Sequence, residues 1–249
     1  MTYCCGILVR GGLVMIADTR TNAGLDNIST FRKLNIFERP GERVMMLATA
    51  GNLSVTQGAV TLLFEGLENP ETHEVERLLD APGMLQAAQL VGRAVRRSHA
   101  IAGEGAEESG VSFDVSLLFG GQIGSGPLRL FMVYTAGNFI ECTQDTPYLQ
   151  IGEHKYGKPI LDRAVSFDTD VLDALKIGLI SMDSTIRSNL SVGLPIDIAL
   201  LRRDALRMDI ATRIDDSDLY FRDLRESWSR ALRAAHIAIP APPYGGGAR

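Results

Sequence analysis

The sequence predicts an α+β fold of two antiparallel sheets packed face to face, with helices on their outer sides. Two features of the patterning carry that expectation. Neighbouring strands are joined by tight turns instead of helical crossovers, which dictates antiparallel pairing, and the strand pairs alternate with long segments of helical periodicity. The third observation is bulk: 45% of the 249 residues are hydrophobic, enough to bury a large core in one domain over residues 1–239.

The elements follow in order. Apolar runs at Tyr3–Val9 and Leu13–Ala17 flank Gly11-Gly12 and read as a hairpin. A second pair, Leu34–Phe37 and Val44–Thr49, is joined by Glu38-Arg39-Pro40-Gly41-Glu42, whose Pro-Gly step marks a turn. Helical spacing then runs from Leu53 to about Leu67, and returns after Pro82-Gly83 in Leu85, Ala88, Val91 and Val95. The polar stretch 104–110 reads as a loop, before strands at Ser112–Phe119 and Leu128–Tyr134. A long helix is expected from Thr169 to Arg187, then strands at Ile196–Leu201 and Arg207–Ile214. A last helix, Leu219–Ala235, carries Trp228, and a Pro/Gly-rich tail follows from Pro240 to Arg249.

Composition narrows the function. With 25 Lys and Arg against 30 Asp and Glu, the chain has no basic excess to capture nucleic acid, so no nucleic-acid partner is expected. No run approaches the roughly 20 apolar residues that span a bilayer, and the N-terminus lacks a signal-peptide pattern, so a cytoplasmic protein with no membrane partner is expected. Cys4, Cys5 and Cys142 are too few for a disulfide framework, and the adjacent pair should point to opposite faces of a strand. The four histidines, His73, His99, His154 and His236, lack metal-ligand spacing, so no metal site is expected.

Chemistry concentrates at the N-terminus. Thr2 follows Met1, and a small second residue permits removal of the methionine, leaving a free α-amine beside a hydroxyl. A threonine hydroxyl needs a base, and an α-amine with an intrinsic pKa near 8 can serve directly or through a water. A cation is needed to keep that amine's pKa low and to stabilise charge, and a carboxylate to hold the cation. Asp18 ends the strand paired with the one that begins at Thr2, so the two ends can meet although they are 16 residues apart. Lys33 precedes the next strand and can enter the same space; by composition alone it reads as a solvated loop lysine.

These residues carry a resemblance. Ala17-Asp18-Thr19-Arg20-Thr21-Asn22-Ala23-Gly24 resembles the block after the second strand in proteasome β-type subunits, and Lys33 falls where those proteins keep a catalytic lysine. Thr49-Ala50-Gly51 resembles the segment ending in the glycine whose backbone N–H forms the oxyanion hole. Within that superfamily, the runs Asn22–Lys33, Phe37–Arg43, Gly152–Pro159 and Arg187–Gly193 look like the bacterial branch called Anbu. The resemblance covers roughly Thr2 to Ile214.

It implies a four-layer αββα sandwich, the N-terminal nucleophile hydrolase fold, and a threonine peptidase with Thr2, Asp18 and Lys33 as catalytic residues and Gly51 at the oxyanion. Thr21, Asn22, Phe31, Thr49 and Leu53 would bind a peptide or protein substrate. No metal or cofactor is required, and self-association into a ring-like or helical homo-oligomer is implied; a regulatory ATPase is left undetermined.

The chain departs from the pattern at two supports. Glu153-His154-Lys155 stands where β subunits place a serine in a turn near the nucleophile, and Asn189 and Val192 stand where they place an Asp and a Ser. Asp183 is a substitute carboxylate or an ordinary exposed helix-end residue. Two rival readings stay open: an assembly that serves as a scaffold with weak or absent chemistry, and an amidase using Cys4 or Cys5. Arg93, Arg96 and Arg97 form a basic patch that is either a solvated face or an intersubunit contact, and Trp228 suits either a subunit contact or the core.

Overall fold

The computed structural model describes residues 2–22, 28–103 and 112–244; the expected loop at 104–110 and the last tail residues, 245–249, lie outside these. The chain opens with a hairpin, β1 (Tyr3–Val9) and β2 (Gly12–Asp18), in which Cys4 faces Ala17 and Val9 faces Gly12. All seven residues of each strand are buried. A continuous apolar run in both partners is the pattern of strands covered on both faces. The alternation along β1 sends Cys4 and Cys5 into different cores, as the period of two requires.

After a short ribbon, β3 (Arg20–Asn22) and β4 (Ile28–Thr30), come β5 (Leu34–Arg39) and β6 (Arg43–Gly51). Their turn holds Gly41 at φ 79° and closes with the Glu42 amide on Arg39 O at 2.9 Å. Asn52 then caps α1 (Leu53–Glu65) by accepting from the Ser54 and Val55 amides. The hairpin β7 (Leu67–Glu68) and β8 (Val75–Glu76) leads into α2 (Met84–Gly103). Next are β9 (Val115–Ile123), β10 (Arg129–Tyr134), β11 (Phe139–Glu141), β12 (Tyr148–Gly152), α3 (Lys158–Ala164) and α4 (Val171–Ser188). β13 (Ile196–Arg202), β14 (Ile210–Ile214) and α5 (Leu219–Ala238) complete the order.

Among the described residues the strands form two five-stranded antiparallel sheets, ordered β12-β1-β2-β13-β14 and β11-β10-β9-β6-β5, and two small ribbons. Three cores account for the packing. Met45, Leu47, Phe119 and Phe131 of the second sheet pack with Val55 and Leu63 of α1 and Val91 and Val95 of α2. On the first sheet, Tyr3, Cys5, Ile7 and Ile16 pack with Leu161 of α3 and Leu179 and Met182 of α4. Cys4, Leu13 and Met15 of the first sheet share a third core with Met46, Ala48, Leu118 and Leu130 of the second.

Several boundaries differ from expectation. β9 begins at Val115, three residues late, because Ser112 and Asp114 bond each other in a local turn, and it runs on through Gly120-Gly121, a pair that reads as punctuation. β14 begins at Ile210, since Leu206 at φ 47° ends a loop whose carbonyl accepts from the Gly41 amide. β12 and α3 carry no strong sequence signal.

Asp183 is fully buried, contrary to an exposed helix end, because Arg187 Nε (2.9 Å) and Arg225 Nε (2.5 Å) both donate to its carboxylate. That pair docks α5, which is capped by Asp218 and buries Phe221, while residues 230–238 are all exposed. Trp228 is half-buried beside Leu224 and Ile180, in a shallow groove between α4 and α5. Arg93 pairs with Glu76 inside the chain; Arg96 and Arg97 are exposed.

Leu118 lies in the core shared by the two sheets and Leu190 is 86% exposed. Leu118→Ala is expected to cost about 2–5 kcal/mol in denaturant unfolding, while Leu190→Ala stays within about 0.5 kcal/mol.

Candidate active site

The hairpin sets the site. With Cys4 opposite Ala17, Asp18 lands beside the start of β1, and its Oδ1 accepts the Tyr3 amide at 3.1 Å. The same oxygen accepts Lys33 Nζ at 2.8 Å, and Lys33 Nζ also donates to Arg20 O at 2.6 Å. Lys33 itself is clamped from the second sheet, its carbonyl accepting the Thr49 amide at 3.1 Å. Both charged side chains are buried, Lys33 at 5% and Asp18 at 0% exposure, so the lysine is no solvated loop residue. Asp18 is held from behind as well. Thr19 donates its amide and hydroxyl to Pro195 O, at 3.1 and 2.6 Å, and its carbonyl accepts from Phe31.

Burial pushes the Asp18 carboxyl above the ordinary carboxylate range. The charge and hydrogen bond of Lys33 pull against it, followed by the amides of Tyr3 and Gly193. Among the described residues its second oxygen, Oδ2, is buried with no donor in hydrogen-bonding geometry, so the Gly193 amide acts on the carboxylate only weakly. The ion pair therefore sits where desolvation is costly and only close, well-aligned partners compensate.

Thr2 precedes β1 and is 9% exposed. Its carbonyl accepts the Glu153 amide at 2.7 Å, so it is tied to the turn after β12 as well as to β2. It lines a pocket of about 520 Å³ together with Thr21, Lys33, Thr49, Gly51 and Leu53. Sequence reasoning had placed these residues together. Phe31 is half-buried and does not line the pocket, and the side chain of Asn22, at the end of β3, lies outside what the structure describes.

Ala50, Thr56, Gly152 and Glu153 complete the lining and were not anticipated as site residues. β12 delivers the last two beside Thr2, and its short run Tyr148-Leu149-Gln150-Ile151 between Pro147 and Gly152 has no alternation to announce it. Asn189 reaches Glu153, whereas Val192 is buried in the core behind β1 and Asp183 does not line the pocket.

Two backbone positions admit only glycine. Gly51 has φ 104°, and a Cβ there would lie 2.2 Å from Asp114 O; Gly152 has φ 78°, and a Cβ would lie 1.9 Å from Thr2 O. Cys4 and Cys5 are fully buried, and burial raises both thiols, Cys5 to about 12, so neither offers a thiolate near neutral pH. A larger depression, of about 930 Å³, lies along α2 and the β7–β8 hairpin. Its lining pairs Arg93 with Glu76, its Asp80 is bonded to Arg39, and it brings no nucleophile beside a base. The chemistry therefore favours the smaller pocket.

A carboxyl whose pKa is higher folded than unfolded contributes stability that is complete below the unfolded value, near 3.9, and is lost as pH rises through the folded one. Lys33→Met removes the largest opposing pull on Asp18. The variant is expected to lose about 3–5 kcal/mol at neutral pH and to recover stability as pH falls and Asp18 takes a proton. Denaturant unfolding at several pH values reads this; a variant whose deficit is independent of pH would contradict it.

No family model matches the chain, and no curated relative matches it. Solved structures match nearly its whole length. The Anbu (ancestral beta-subunit) protein of Yersinia bercovieri is 45% identical, with 98% of this chain and 100% of that chain covered and a TM-score of 0.89. Anbu from Hyphomicrobium sp. strain MC1 is 48% identical, with 96% and 99% covered and a TM-score of 0.87. The Anbu complex from Pseudomonas aeruginosa, solved as a helical assembly, is 42% identical, with 98% and 100% covered and a TM-score of 0.89. At this identity and coverage, the chain belongs to the Anbu family of proteasome-like proteins.

Proposed function

We propose that the protein is a threonine peptidase, an amide-bond hydrolase whose nucleophile is Thr2 once removal of Met1 frees its α-amine. One juxtaposition carries the reading: a buried lysine ammonium, neutralised by Asp18, lines the same pocket as Thr2. The α-amine takes the Oγ proton, directly or through a water, as Oγ attacks the scissile carbonyl. The Gly51 N–H holds the developing oxyanion. The amine returns the proton to the leaving nitrogen, and water then hydrolyses the acyl ester. Thr21, Thr49 and Leu53, which line the pocket, bind a peptide or protein substrate, with Leu53 giving the wall before the scissile bond an apolar side; for Asn22 and Phe31 that role rests on the resemblance alone.

The three cores support the four-layer αββα arrangement, in which both sheets lie between the helix layers. We further infer self-association into a ring-like or helical homo-oligomer. The helical assembly of the P. aeruginosa relative supports it, as do the exposed Leu232, Ile237 and Ile239 on and beside α5. Those same observations favour the rival reading of a scaffold without chemistry.

Intact mass should show Met1 absent, and an electrophile selective for N-terminal threonine should modify the protein but not Thr2→Ala. Lys33→Ala should slow that modification by about 10²–10⁴-fold. Equal modification of Thr2→Ala would refute the nucleophile, and a peptide library left uncut by a processed protein would favour the scaffold. Ile237→Glu should lower the assembled mass in light scattering; an unchanged mass would remove α5 from the interface.

A further inference from the structure

The nucleophile and base proposed above belong to one residue, and triad logic asks for a third group that orients the base and stabilises its protonated form. Lys33 cannot be that group, because it is itself a cation and is spent on Asp18 and Arg20 O. Asp18 is committed to Lys33 and the Tyr3 amide. On the opposite side of β1, Gly152 turns the chain so that the Glu153 amide reaches Thr2 O at 2.7 Å, and Glu153 lines the same pocket as Thr2. Among the described residues no other acidic side chain belongs to that pocket's lining.

The carboxylate is fixed in place. Glu153 Oε2 accepts from Asn189 Nδ2 at 3.1 Å, and Asn189 is the C-cap of α4, its own amide on Thr185 O at 2.9 Å. Asn189 Oδ1 accepts the Ser191 amide at 2.9 Å, so the orientation of its side-chain amide is set from both ends. Among the described residues Glu153 Oε1 accepts no hydrogen bond. A carboxylate anchored by one oxygen, with the other unused beside a nucleophile, is built to receive an N–H donor.

We propose that Glu153 is the positioning group of the Thr2 α-amine: its free oxygen accepts an N–H from that amine and holds the ammonium formed when the amine takes the Oγ proton. This rests on the reading of Thr2 as a liberated N-terminus. The proton moves from Oγ to the amine as the Oγ–C bond forms, then from the ammonium to the leaving nitrogen as the C–N bond breaks. In deacylation the amine takes a proton from water as the water oxygen attacks the ester, and the ammonium returns it to Oγ as the C–Oγ bond breaks. Other charged groups lie on the elements packed around this site. Of these only Lys33 lines the pocket, paired with Asp18; His154 and Lys155 follow Glu153 in the turn after β12, Arg187 on α4 pairs with Asp183, and Arg20 donates to Leu190 O.

The test uses the assembled, Met1-processed protein. The pH dependence of acetic anhydride acylation at the Thr2 amine, read by mass spectrometry, reports the titration of that amine directly. A neighbouring carboxylate favours the ammonium. Glu153→Gln should therefore move the midpoint down by about one unit, and Asn189→Ala should move it part of the way. Modification of Oγ by the threonine-selective electrophile should fall about tenfold in Glu153→Gln and recover in part in Glu153→Asp.

An amine midpoint identical in wild type and Glu153→Gln overturns the assignment, and if that variant misfolds, the Asn189→Ala titration decides in its place. Retention of Met1 overturns both this proposal and the hydrolase reading. A shifted midpoint in a wild type that never reacts at Oγ overturns only the hydrolase reading and leaves the Glu153 pairing established.

Discussion

One carboxylate oxygen, Asp18 Oδ1, ties together the parts that matter. It accepts the Tyr3 amide at 3.1 Å and the Lys33 ammonium at 2.8 Å, and so fixes the start of β1 and the segment before β5 with respect to one atom. Lys33 could not be carried into a site with 5% exposure without that charge to meet it. Asp18 in turn could not stay ionised at 0% exposure without a cation and amide donors. The fully apolar runs of β1 and β2 create the environment in which the pair is forced on itself, since neither group has water as an alternative partner.

The second sheet and the turn after β12 complete the geometry from other directions. The Thr49 amide on Lys33 O makes β6 a brace for the lysine, and Gly51, two residues on, ends that strand at the pocket wall. On the far side of β1, Gly152 and Glu153 hold the Thr2 carbonyl. The nucleophile candidate is thus gripped by both neighbours of its strand, β2 and β12, and faces residues contributed by the other sheet. Groups held this way need little reorganisation when charge develops, which is the physical content of preorganisation.

How far the sequence disclosed this arrangement differs by residue. The β1–β2 hairpin was legible because two apolar runs enclose a Gly-Gly step, and the β5–β6 turn because Pro40-Gly41 allows little else. Asp18 could be placed near Thr2 from the hairpin alone. The burial of Lys33 could not, because nothing local distinguishes a lysine paired with a distant strand from a solvated one; only the resemblance assigned it. The resemblance puts Glu153 in a turn near the nucleophile but gives it no role, and β12 is too short and α3 too weakly patterned, starting with a lysine and a proline, to supply one from periodicity. Asp183 was misread for a related reason: its partner Arg225 lies 42 residues on, and no spacing rule spans that distance.

The contacts that place Thr2 bear on the proposed removal of Met1. They engage the Thr2 carbonyl, the Tyr3 amide and the β1 ladder, all on the C-terminal side of the Thr2 Cα. Their donors and acceptors all belong to residues that the proposed removal of the methionine leaves in place. The ion pair and the pocket wall are complete on the same terms. On the proposed reading, processing frees an amine at a strand end that these contacts already hold. A nucleophile that depended on its new N-terminus for placement would need to reorganise after cleavage; a strand end held by both neighbours does not.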